Sequence, residues 1–305
     1  MEGLIPVYRP LAEPLHLTEA KSFTRVEFTD EDALITSFIR AARVWAEQFQ
    51  GRAFINQTFK WAGESFYPNG RRYPQLVGSA VGAAGWEVGL ALGLAEAALL
   101  GIGTLGQPLR MPNPPLMAID AIVYTDTSGA QQTLAASEYQ VSKFSEPARL
   151  LPAYGKSWPA LRPVLDAVQI QFRAGYATPF TWTSGPTLKA TRHPYANGDV
   201  VPLSNSGGAL PTGLAVDTDY VAANAVTGVS LELQALGSGT SITPTGAGSG
   251  TNFLGVVPEG AMNALRLTVK DFYDNRDAIR AGVTLDQIVS SAARALLWPE
   301  RIFTV

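Results

Sequence analysis

The chain has 305 residues, 46% of them hydrophobic and 16% charged, with a net charge of −3. That length and apolar content suit one large or two ordinary domains with a buried core and exclude wholesale disorder; the weakly negative balance excludes a general nucleic-acid binder, which carries a basic excess. With no cysteine and only His16 and His193, disulfides, thiolate zinc sites, cysteine nucleophiles and multi-histidine metal centres are excluded as well. A charge content well under the usual share of about a quarter points to a surface partly hidden in an assembly.

The first residues, MEGLIPVYRPLAEP, show none of the basic, apolar and cleavage-site regions of a secretion signal. LTEAKSFTRVE, residues 17–27, predicts a short helix. A long helix follows. Thr29 or Asp30 is the expected cap, and Glu31 and Asp32 fall in the first turn, where the helix dipole favours carboxylates. Leu34, Ile35, Phe38, Ile39, Ala42, Trp45 and Phe49 then recur at helical spacing until Gly51. The acidic cluster at its start is read as capping rather than as a metal site.

From Phe54 the pattern alternates and predicts a strand in INQTFKWAGESF. Residues 76–109 form an apolar, glycine-rich excursion with charges only at Glu87 and Glu96. Its uncharged runs are too short for a membrane span of roughly 18–20 residues, and its Gly-xxx-Gly spacing suits close packing at a protein contact or a loose loop. Two or three strands follow in residues 111–144, with a hairpin turn at Asp126–Gly129. Residues 148–154 and 166–176 are two further expected strands, joined by the proline-rich loop LPAYGKSWPALRP, residues 151–163.

Residues 177–252 change character: Gly, Thr, Ser and Val dominate, turn residues recur at short intervals, and no helical period survives. They predict a compact all-β, sandwich-like module. Helices return at Pro258, with Met262, Leu265, Val269, Phe272 and Tyr273 on one face. A second helix is expected from about Thr284 to Pro299, leaving RIFTV as an extended tail. The fold class is therefore α+β. A small helical bundle with a short-stranded β element, residues 1–176 and 253–305, carries the inserted module at 177–252.

Catalytic chemistry finds little support. His193 near Asp199 lacks a nucleophile or a substrate pocket, and reads as a structural histidine in an exposed loop. Asp217 and Asp219 lack the oxygen series that calcium requires. No phosphate-binding loop of the G-x-x-x-x-G-K-S/T type occurs. No cofactor, metal or catalytic residue is assigned.

Taken in order, several stretches resemble the head–tail connector, or adaptor, proteins of tailed bacteriophages and gene-transfer particles: LTEAK, DEDALITSFIRAARVWAEQFQGRAFINQTF, PPLMAIDAIVYTDTSG, SEYQV, SWPALRP, VQIQFRAGY and DFYDNRDAI. The resemblance covers about residues 15–72, 112–176 and 256–300. It implies a non-enzymatic structural protein in the virion neck, assembled in the host cytoplasm, with no membrane contact. It also implies a homo-oligomeric ring, usually twelve-fold, beneath the portal. Such a ring extends the DNA channel without binding DNA specifically, and docks later neck or tail proteins. The excursion at 76–109 and the insertion at 177–252 depart from the family pattern. Part of the insertion is similar to β-modules of phage structural proteins, through His193, Gly198, Asp199, Pro211, Gly213, Leu214 and Tyr220, and the capsid vertex is a further candidate contact.

On this reading the proline-rich loop meets neighbouring subunits. Its prolines lower the cost of ordering; Tyr154 and Trp158 are candidate anchors, and Lys156 and Arg162 candidate ion-pair partners across a seam. Trp158 has the equal alternative of closing its own subunit's core. Arg301, Ile302, Phe303 and Val305 are expected to leave the last helix and dock on another chain. Arg266, Lys270, Arg276 and Arg280 either face the channel or phosphates, or pair with Asp271, Asp274 and Asp277 nearby. A second function class is a host-surface or carbohydrate-binding protein, which requires exposed aromatics such as Trp182 and Tyr195 on the β-module. A third, a glycan hydrolase, requires a carboxylate pair to which no residues point.

Overall fold

The computed structural model describes residues 3–66, 108–216, 218–277 and 288–302. Most of the apolar excursion, together with Arg280, Phe303 and Val305, lies outside them. The chain divides into two compact units. One comprises residues 1–3, 61–111 and 121–170; the other comprises 4–60, 112–120 and 171–305.

The second unit holds the helices. Helix α1, Leu17–Thr24, starts where the His16 ring accepts a hydrogen bond from the Thr18 N–H, and ends at Arg25 in the left-handed region. Helix α2, Asp32–Gln50, ends at Gly51, φ +69°, as the sequence predicts. Its start differs from expectation. Neither Thr29 nor Asp30 caps it; Glu31 occupies the cap position without a side-chain capping bond. The nearby carboxylates are used for tertiary links: Asp32 pairs with Lys21 at 2.6 Å, and Glu31 accepts from the Tyr273 hydroxyl.

Helix α3, Glu259–Asp274, and helix α4, Ser291–Leu297, complete the bundle. The single closing helix expected up to Pro299 is interrupted. Ser290 caps a fresh helix through its hydroxyl, and its own N–H donates to Asp271. Ile35, Phe38, Ile39, Ala42 and Trp45 of α2 pack with Leu265, Val269 and Phe272 of α3 and with Ala293 and Leu297 of α4. These are the positions that the helical spacing selects.

Strand β1, Gly3–Tyr8, was not foreseen, and every residue of it is exposed. With so little burial, it leaves no alternation for a sequence reading to catch. It forms the edge of a five-stranded sheet of order β1-β2-β8-β4-β5. Here β2 is Gln57–Gly63, β4 Leu116–Thr125, β5 Gln131–Thr133 and β8 Val168–Ala174. In β8, Val168, Ile170, Phe172 and Ala174 are buried at every second position, the pleat period of 2. The first unit also carries a three-stranded sheet of order β3-β7-β6, built from Leu109–Arg110, Arg149–Pro152 and Tyr139–Ser142.

The region from Thr178 to Leu254 is all β. Its six strands are β9, Thr178–Phe180; β10, Thr187–Lys189; β11, Val200–Ser206; β12, Asp219–Val226; β13, Ser230–Ala235; and β14, Thr251–Leu254. They form one sheet of order β10-β13-β12-β11-β14-β9. Its two outer ends meet through Thr181 and Lys189, which exchange both backbone bonds at 2.9 Å. The module is thus a small, nearly closed barrel rather than two stacked sheets. Val201, Leu203, Tyr220, Ala222, Leu231 and Leu233 fill it.

Candidate interaction surfaces

The proline-rich loop is tied to its own unit. The Ala153 N–H donates to Glu138 O and the Lys156 N–H to Ala153 O, both at 2.9 Å. The Arg162 N–H donates to Thr125 O, and its guanidinium lies over Gly129, where a Cβ would sit 2.3 Å from Nη1. Any side chain at Gly129 would therefore displace Arg162. Lys156 pairs with Glu138 at 3.2 Å. Both groups are solvated, so the pair adds at most about 1 kcal/mol.

The two aromatic candidates diverge. The Trp158 ring, half-buried, stacks on the buried Phe66 of the same unit at 4.3 Å and 5°. Tyr154 is 101% exposed and is the side chain that the loop presents outward.

The tail follows a similar logic. The chain leaves α4 through a 3-10 turn at Trp298–Glu300. Up to Ile302 it then lies on the end of α2. Gln50 donates to Leu297 O at 2.9 Å, Arg52 Nε to Glu300 O at 2.5 Å, and the Ile302 N–H to Gln50 O at 2.7 Å. Arg301 stands 4.6 Å from the Phe49 ring centre and 5.4 Å from that of Trp298. Arg301 and Ile302 thus make contacts within their own chain.

The closing-helix cations separate into three environments. Arg266 reaches Glu19 on α1 at 2.6 Å and Glu259 at 3.5 Å, a tertiary link rather than a pair with Asp271. Lys270 pairs with Asp274 one turn on at 2.7 Å, as helical spacing allows. Arg276 lies over the Tyr273 ring at 4.7 Å.

Three polar constructions were missed by the sequence reading. Arg43 binds Glu13 at 2.6 Å and Glu47 at 2.7 Å, while the other Glu47 oxygen accepts from the Phe54 N–H and from Gln57, both at 2.8 Å. Burial pushes the Glu47 pKa above the usual carboxylate value, although Arg43 and these donors oppose the shift. Burial likewise works against the Arg43 charge, but Glu47 and Glu13 outweigh it and hold its pKa above the ordinary value. Arg43 and Glu47 lie one turn apart on α2, where a surface helix would be polar; only the fold covers them.

The second construction is the root of the module. Thr178 and Leu254 are register partners across β9 and β14, so the insertion leaves and returns side by side. Gly255 adopts φ +98°, and a Cβ there would sit 2.2 Å from Tyr176 O. Ser206 at the end of β11 donates to Glu19 at 2.5 Å and accepts from the His16 N–H at 2.8 Å. The junction is buried rather than superficial, since Ala177, Thr178 and Leu254 are solvent-inaccessible.

The third is His193, which is fully buried rather than exposed. Its Nε2 lies 3.0 Å from Val226 O and 3.1 Å from Ser230 O. Two carbonyl acceptors on one nitrogen require the proton there, which in a neutral ring is the Nε2–H tautomer. Nδ1 is buried without a partner among the described residues. Burial lowers the His193 pKa despite the two carbonyls. Its position between β12 and β13 is a stitch in the barrel.

Tyr195 packs at the rim of the barrel core, and burial raises its hydroxyl pKa to about 12. Trp182 also packs against that core and donates to Gly185 O at 2.6 Å. Neither is the exposed aromatic platform that a glycan site needs. Among the described residues, no group of three or more His, Cys, Asp or Glu residues is placed to hold a metal ion, and no helix is long and apolar enough to cross a membrane.

The profile of the family described as Phage gp6-like head-tail connector protein matches residues 15–77, which begin at α1 and include α2 and β2. This agrees with the resemblance that starts at LTEAK. No curated protein matches the chain. Among solved structures, it is similar to a chain from the neck of an empty gene-transfer-agent particle computed with C6 symmetry, at 18% identity and a TM-score of 0.40, over 57% of this chain and 71% of that one. A chain from the virion of a native gene transfer agent matches over the same shares at 18% identity and TM-score 0.39. A chain from the neck of a native particle computed with C12 symmetry matches at 19% identity and TM-score 0.34, over 57% of this chain and 70% of that one.

Proposed function

We propose that this protein is a structural component of a virion neck that forms a ring below the portal, extends the DNA channel and docks later neck or tail proteins. The observation that carries the reading is the connector-family match over residues 15–77. That segment supplies α1 and α2, whose apolar faces pack into the helical core. The ordered resemblance through residue 300 supports the same role, as does a surface of low charge content. The role is non-enzymatic: positions that sequence chemistry singled out serve the fold, with His193 in a barrel stitch and Asp199 accepting from the Ala196 N–H.

The β-module is proposed to be an accessory placed outside the channel, contacting the capsid vertex or neighbouring neck components. Its adjacent ends support this, because a module that leaves and returns at one place is added without rerouting the core. The test is the mass of the purified full chain by light scattering, alone and with a candidate portal ring, combined with electron microscopy of the product. Closed rings that stack on the portal are the expected result. A monomer that binds glycans through residues 177–252 and ignores the portal would favour the host-surface role instead.

A further inference from the structure

The far end of α2 carries an aromatic and cationic ladder that stays partly exposed. Trp45 and Phe49 stack at 5.3 Å, Phe49 meets Trp298 at 6.4 Å, and the Arg294 and Arg301 guanidiniums lie over the Trp45, Phe49 and Trp298 rings. Trp298 nevertheless stays 55% exposed, and Leu296 beside it is exposed too. Arg and Trp held rigid at an exposed apolar spot have the composition of an interface anchor. Such an anchor fits an apolar side chain flanked by carboxylates.

The same chain presents that chemistry at the other end of α2. Residues 23–30 place Phe23 and Phe28 at 42% and 53% exposure. Glu27 and Asp30 flank Phe28, and neither forms an ion pair among the described residues; Arg25 is the segment's own cation. The segment is pre-organised. Lys21 holds Phe28 O at 2.7 Å and Asp32 at 2.6 Å, and Tyr273 donates to Glu31. A 19-residue helix separates the two surfaces by about 28 Å, so one chain cannot satisfy itself.

We propose that the Arg294–Trp298–Arg301 surface receives the Phe23–Asp30 segment of a second copy of this chain. The contact is heterologous, head to tail, and it supplies the seam of the ring proposed above, on which it rests. Unlike surfaces that pair in this way repeat around an axis until they close. Opposite charges on the two faces set the register and disfavour like faces meeting.

The test uses the full chain in three forms. One carries Arg294→Glu with Arg301→Glu, one Glu27→Lys with Asp30→Lys, and one all four substitutions. Circular dichroism verifies that each is folded, and light scattering across a concentration series reads assembly. Each two-site variant is expected to raise the concentration for half-assembly by at least about tenfold, the effect of losing one anchor. The four-site variant, with both faces reversed, is expected to recover assembly, as is an equimolar mixture of wild type with it only if like forms sort into separate rings. Folded two-site variants that assemble like wild type overturn the seam and leave the ring standing. So does a folded four-site variant that stays as weak as its parents. A wild-type chain that never multimerises, alone or on a portal, removes the ring and the seam together.

Discussion

The helical core and the β-barrel of the second unit are stabilised by different means. The helical core buries large side chains from distant parts of the sequence, Phe38 and Trp45 against Phe272 and Leu297. It is also braced by charges: Glu13–Arg43–Glu47 on one side and Glu19–Arg266 on another. The barrel is filled mostly by Val, Leu and Ala, with one Phe and one Tyr, and is held by a ladder that nearly closes on itself. A core of large interlocking groups fails as a whole when one is lost. A ladder of backbone bonds tolerates small lesions and fails where the chain must bend tightly. The comparison also explains how an inserted module coexists with a helical core: its ends meet at a buried root, and Asn56 and Arg173 hold the carbonyls at Arg192 and His193.

The largest expected effect lies in the helical core. Phe272→Ala removes a fully buried ring that meets Phe38 at 6.2 Å and should cost about 3–5 kcal/mol. Urea unfolding followed at 222 nm should show the loss. A change below about 1 kcal/mol would mean that α3 is not integral to the core. Arg43→Ala should cost a comparable ~3–5 kcal/mol, because Glu47 is left buried without its cation. Adding Glu47→Gln to that variant should restore part of the loss, and a cycle without coupling would deny the pair its role.

In the barrel, Leu231→Ala should cost about 2–5 kcal/mol, but with a different signature. Barrel amides should exchange faster with deuterium while those of α2 and α3 remain protected. Equal loss of protection in both regions would show that they unfold as one. Gly255→Ala tests the root. The backbone there is in the positive-φ region and meets Tyr176 O, so a cost of about 1–3 kcal/mol is expected, read as a lower melting temperature. Replacing residues 182–250 with a short turn keeps the β9–β14 pair and should leave the helices folded by circular dichroism. Aggregation of that variant would make the barrel part of the core.

The smallest effect is the pH response of His193. Its folded pKa lies below the ordinary value of 6.5, so the unfolded chain takes up the proton first. Stability contributed by the neutral ring is fully present above about 6.5 and is lost as pH falls below it. His193→Gln should flatten the stability profile between pH 7 and 5, and an unchanged slope would assign the acid response to other groups.

Much of the architecture follows from local pattern. The spacing of apolar residues in 34–49 and 262–273, the glycine at 51 and the alternation in 168–174 fix helix, stop and strand, because these depend on side chains a few residues apart. The same holds for the Asp126–Gly129 hairpin and for the all-β nature of 178–254. The exposed strand β1 escaped, since pairing at a sheet edge needs no buried face. The interface candidates were legible only as residue types. The contacts that Trp158, Arg266 and Arg301 make within the chain depend on residues 92, 247 and 252 positions away, Phe66, Glu19 and Phe49. The burial of Glu47 and His193 was decided in the same way. Sequence by itself determined which segments curl and which extend; only the tertiary structure decided which polar groups lose water and which partner they find, because that depends on elements brought together from opposite ends of the chain.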